Sequence, residues 1–148
     1  MIDTGDTGFM MICSALVLLM TPGLAFFYGG MVRRKNVVNT MMTSIFVIGI
    51  ATVMWVLFGY SLAFGVDHLG IIGDLSHLGL VGLTGKVGEY ASTIPDLGFA
   101  MFQMMFAIIT PALITGAVAG RMKFKALFLF IIFWSTLVYY PMAHMVWG

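Results

Sequence analysis

The stretch "IFVIGIATVMWVLF", residues 45–58, decides the fold. It does not alternate apolar and polar residues, as a strand of a membrane barrel would. It therefore reads as helix, and working outward the same apolar character holds from residue 37 to residue 64. The whole chain shares it: 148 residues, 61% hydrophobic and 9% charged. Soluble domains carry about a quarter charged residues. A water-soluble core of this size has no room for so much apolar surface, so the solvent is lipid. Three further runs, 9–32, 98–120 and 126–147, also reach the roughly 20 helical residues that cross a bilayer. None of the four has Asp, Glu, Lys or Arg between its ends. The run at 37–64 is longer than a crossing requires, which predicts tilt or projection beyond the lipid. The expected fold class is an all-α membrane protein of four transmembrane helices.

Charge fixes the expected direction. Arg33, Arg34 and Lys35 fill the first connection, Arg121, Lys123 and Lys125 fill the third, and only Lys86 lies in the second. All six acids, Asp3, Asp6, Asp67, Asp74, Glu89 and Asp96, lie in the N-terminal tail or the second connection. Short basic connections stay in the cytoplasm, so the N-terminus and Gly148 are expected outside. "MIDTGDTG" (1–8) lacks the basic region of a cleavable signal and reads as the exported tail of the first span. Cys13 is the single cysteine, so no internal disulfide is possible. A net charge of +1 gives no case for nucleic acid.

Within the spans, Pro22, Pro111 and Pro141 each remove a helical hydrogen bond, and "TPG" (21–23) is the expected sharpest break. Gly116 and Gly120 form a GxxxG that would let another helix come close. The connection at 65–98 is Gly-rich, which predicts compact turns or a short helix on the outer face. His68 and His77 lie in it with Asp67 and Asp74 nearby; spacing this loose favours solvated histidines over a metal site.

Phe99, Phe102 and Phe106 recur at i, i+3 and i+7 on one face of the third span, with Gln103 beside them. A short connection favours antiparallel packing of spans three and four. That brings Trp147 to the same outer level. Two readings follow: an aromatic vestibule that holds a small cation by its ring faces, or interface anchors and lipid-facing rings of the kind any membrane protein carries.

Four stretches resemble the ammonium transporter family (Amt/Mep/Rh), on its bacterial and archaeal Amt branch: "TPGLAFFYGGMVRRKNVVNTMM" (21–42), "WVLFGYSLAFG" (55–65), "FQMMFAIITPALITGAVAGRMKF" (102–124) and "YYPMAHMVWG" (139–148). The resemblance implies an eleven-helix fold built from two inverted five-helix repeats and a last helix. Residues 1–148 would be its N-terminal part, four spans that form most of the first repeat. It implies transport of ammonium or ammonia across the plasma membrane, with no catalysis and no cofactor or metal. Ammonium would be recruited at an outer aromatic site and conducted through a hydrophobic pore.

By the same resemblance Trp147 matches the tryptophan that stacks over recruited ammonium, Phe106 the upper gate phenylalanine, and Phe102 an aromatic of the vestibule. The second gate phenylalanine, the vestibule serine, the outer-site aspartate and the twin pore histidines would lie in later segments, so the four spans alone are not expected to transport. His144 precedes the outer tryptophan and is expected to bond a carbonyl or water rather than to join the pore pair. A homotrimer and a cytosolic PII-type regulatory protein are the implied partners. The alternative function is a membrane ammonium sensor on the same fold. An electron-transfer cytochrome would need paired intramembrane histidines, and His144 stands alone in the spans.

Overall fold

The computed structural model describes residues 1–148. Four helices are long and apolar enough to cross a membrane: α1 (Thr4–Met31), α2 (Arg34–Phe64), α3 (Asp96–Val118) and α4 (Phe124–Trp147). They run up and down, so one end of the bundle collects the acidic tail and the second connection. The other end collects the two basic turns.

Local chemistry sets the helix ends. α1 starts five residues before the expected 9 because Asp3 caps it: its carboxylate accepts the Asp6 N–H at 3.0 Å, and its carbonyl accepts the Thr7 hydroxyl at 2.7 Å. The Asp3 N–H in turn donates to the Thr93 carbonyl at 2.8 Å, which ties the tail to the second connection. α3 stops where Gly120 takes a left-handed φ of 69°. α2 has 31 residues, about 46 Å at 1.5 Å each, well beyond a hydrocarbon core of about 30 Å.

The expected break at "TPG" is absent. α1 passes through Pro22 as one helix, and Gly23 keeps an ordinary backbone. The irregular turns lie elsewhere. Trp55–Gly59 in α2 and Ser135–Tyr139 in α4 are wide π turns, in which the Tyr60 N–H donates to the Trp55 carbonyl and the Tyr140 N–H to the Ser135 carbonyl. The second leads directly into Pro141, whose ring needs space in the preceding turn. The first contains no proline. Gly59 lies directly under the Tyr140 ring, so the two wide turns meet.

Burial is concentrated between helices. At the acidic end Trp55, Tyr60, Phe64, Ala100, Tyr139, Tyr140 and Ala143 form one core; Val47, Ala51, Ile108, Ala112, Leu127 and Ile131 form another. The buried Trp55 indole N–H donates to the Ala100 carbonyl at 3.1 Å and ties α2 to the second turn of α3. Ser44 and Thr115 share a buried hydrogen bond of 2.8 Å between α2 and α3. Gly116 does bring a neighbour close, the Tyr28 ring of α1, whose hydroxyl donates to the Leu113 carbonyl at 2.9 Å. Gly120 takes no part in that contact and acts as the stop of α3.

The second connection holds no helix long enough to lie along a membrane. It is a short hairpin, β1 (Asp67–His68) antiparallel to β2 (Ile72–Gly73), then a tight turn at Leu78–Leu80 and a strand-like bridge between Val87 and Pro95. The buried Ser61 hydroxyl fastens it to α2, donating to the Asp74 carbonyl and accepting the His77 N–H, each at 2.9 Å.

Candidate functional site at the acidic end

Phe102 and Phe106 stand side by side on α3, half-buried, with ring centroids 5.1 Å apart and planes at 79°. That edge-to-face arrangement points the positive edge of one ring at the negative face of the other. Phe99 leaves the expected stripe. It stacks on Tyr90 of the second connection (5.6 Å, 10°) and meets Phe64 of α2 edge-on at 5.1 Å. The three-residue stripe is thus a pair plus a structural ring. Trp147, the last residue of α4, is 51% exposed and packs against no other ring.

His144 lies one turn before Trp147 and is 3% exposed. Its Nδ1 is 3.0 Å from the Ala63 carbonyl of α2, and its Nε2 is 3.0 Å from Oδ1 of Asp67 on β1. The carbonyl contact agrees with expectation. The carboxylate contact was not legible: residues 77 apart carry no shared motif or spacing. The Asp67 carboxyl is held below the usual carboxylate range, first by His144 and then by the Gly70 N–H. Asp74 is lowered likewise by the Ser76 hydroxyl and N–H, and these bonds shape the turn after β2.

Beside this contact lies a cavity of about 560 Å³, whose walls include Phe64, Asp67, Glu89, Tyr90, Asp96 and His144. Phe102, Phe106 and Trp147 do not line it. No three His, Cys, Asp or Glu side chains gather as metal ligands. His68 is exposed, whereas His77 is half-buried with Nδ1 3.0 Å from the Val81 carbonyl, so only the first is a solvated loop histidine.

Four long apolar helices with short basic turns at one end define a multi-pass α-helical membrane protein. The profile of the Ammonium Transporter Family matches residues 8–148. A Bacillus subtilis protein named ammonium transporter is 55% identical over 144 residues, covering 97% of this chain and 35% of its own length. A putative ammonium transporter of Methanothermobacter thermautotrophicus is 53% identical over 152 residues, covering 100% of this chain and 37% of its own. The crystal structure of Candida albicans Mep2 superposes with a TM-score of 0.90 at 31% identity, over 99% of this chain and 32% of that one. The chain belongs to the ammonium transporter family. It spans about a third of the length of the curated relatives it matches.

Proposed function

We propose that this chain supplies the first four spans of a transporter that moves ammonium or ammonia across the plasma membrane, with its N-terminus outside. Ammonium reaches the acidic, outward end, loses part of its water and is held against the Trp147 ring face above the Phe102–Phe106 pair. Ring quadrupoles attract a cation without adding a formal charge that would trap it. Below the pair the path is apolar, where a charged form is expensive, so passage favours ammonia. This chain forms part of that wall. A homotrimer in the bilayer and closure of the basic end by a PII-type protein belong to the same proposal. The curated relatives above are all named transporters, and no observation favours the sensor.

The observation that carries the reading is the half-exposed Trp147 at the same end as a paired Phe102 and Phe106, in a chain of this family. Trp147→Leu keeps bulk and apolarity but removes the ring quadrupole. A cation–π contact is worth about 0.5–2 kcal/mol, which predicts apparent affinity weaker by about 2- to 30-fold. Phe106→Ala acts differently, by opening the path below the site to water and ions. The check is uptake against external ammonium at fixed pH and matched surface expression, in a full-length family member with this chain in place of the matching segment. If Trp147→Leu leaves the concentration dependence unchanged, Trp147 is an interface anchor and the reading fails.

A further inference from the structure

The His144 contacts have a consequence set by proton counting. A carbonyl oxygen only accepts, and an ionised carboxylate only accepts. Nδ1 faces the first and Nε2 the second, both at 3.0 Å. Both hydrogen bonds exist together only when both ring nitrogens carry protons, or when Asp67 carries one. Asp67 is 62% exposed and its carboxyl is held below its ordinary range, so the carboxylate is the form present near neutrality. Both bonds together thus require the doubly protonated ring, and each is then charge-assisted. A neutral ring makes only one and turns a lone pair toward the other oxygen.

We propose that His144 is a positioning residue for the outer aromatic site: its imidazolium clamps the last turn of α4 to the end of α2 and to β1, and so fixes where Trp147 stands. This rests on the reading of Trp147 above. His144 and Trp147 are neighbours on one helical turn, at i and i+3. The Gly148 N–H donates to the His144 carbonyl at 2.8 Å, and a Cβ added at Gly148 would collide with the imidazole, so the backbone after Trp147 lies against the clamp itself. α2 ends one residue beyond Ala63, and the hairpin is fastened to it through Ser61, so the clamp's two acceptors sit on one fixed unit.

Other ionisable groups surround it: His68 and His77 on the second connection, Glu89 and Tyr90 further along it, Tyr60 on α2 and Asp96 at the head of α3. Only Asp67 makes an ion pair with the ring. The clamp therefore answers to acid: it weakens as Asp67 is protonated and its ion pair with the ring is lost.

The test uses the full-length family member carrying this chain. His144→Ala should weaken apparent ammonium affinity, by no more than Trp147→Leu does, and should add nothing when combined with it. Asp67→Ala, on an exposed side chain, should act in the same direction and decides the matter if His144→Ala does not accumulate. Asp67→Asn should restore affinity near neutrality, because an amide can accept from the ring or donate to it. Nitrogen-15 spectra of the ring should show both nitrogens protonated near neutrality, and one of them in Asp67→Ala. A silent Trp147→Leu overturns the aromatic-site reading and the positioning role with it. An active Trp147→Leu with a silent Asp67→Ala, additive effects in the double variant, or a singly protonated ring in the unaltered protein overturns the positioning role alone.

Discussion

At the scale of single residues, close approaches shape the acidic end alongside the His144–Asp67 contact. Gly59 is the tightest of those inside the spans at this end. A Cβ added there would lie 2.6 Å from Cζ of Tyr140 and 2.8 Å from its hydroxyl oxygen. Gly59→Ala gains up to about 1 kcal/mol of helix propensity and loses about 1–3 kcal/mol to overpacking. The expected net is a destabilised protein with a lower midpoint of thermal unfolding in detergent, and Tyr140→Val in the same chain should recover most of the loss. An equal loss in the presence of Tyr140→Val would mean that the ring contact is not the cause. Nothing in "WVLFGYSLAFG" shows this pairing, because Gly59 and Tyr140 meet only after two helices have been placed. The same holds for Asp67 and His144. By contrast Trp147, Phe102 and Phe106 stood out as aromatics at fixed positions in the sequence. Residue type and local spacing brought out Trp147 and the stripe of Phe99, Phe102 and Phe106, the family resemblance singled out Trp147, Phe102 and Phe106, and the coordinates show why Phe99 stands apart: it packs on Tyr90 and Phe64.

At the scale of elements, the spans were legible because lipid imposes one pattern on every residue it touches. An apolar run of the required length can only be a helix that satisfies its own backbone. Helix ends were less legible, since they depend on caps that hydropathy does not register. Asp3 extends α1 outside the apolar run through one side-chain bond and one carbonyl bond. Asp3→Ala should cost about 0.5–2 kcal/mol in the first turn. Its signature is faster hydrogen exchange at the Asp6 and Thr7 amides, with exchange in the middle of α1 unchanged; unchanged exchange at Asp6 would dismiss the cap. The wide turns were illegible for a further reason. Proline marks where a helix cannot make a bond: Pro141 does follow the wide turn of α4, but Pro22, expected as the sharpest break, leaves α1 regular, and the wide turn of α2 has no proline and depends on the partner it meets.

At the scale of the whole molecule, the charge pattern and the fold agree on which segments share an end. The tail, the hairpin and the last turn of α4 are joined by the Asp3–Thr93, His144–Ala63 and His144–Asp67 hydrogen bonds. The proposed orientation rests on the basic turns at the opposite end. With Cys13 replaced, a cysteine at Lys86 should react with an impermeant reagent added outside intact cells, and one at Lys123 should not; the reverse pattern would invert the protein. The wide turns bear on length as well as shape. Each spends one residue more than an ordinary helical turn while leaving the helix on either side facing its neighbours. A codon lost between Trp55 and Gly59, such as that of exposed Leu57, would close the turn to a regular one and keep Ala63 aimed at His144. The same loss at Ile48 would swing everything beyond it by about 100°. The two spans that meet at Gly59 and Tyr140 thus each hold a place where the loss of a residue can be absorbed without turning the far end.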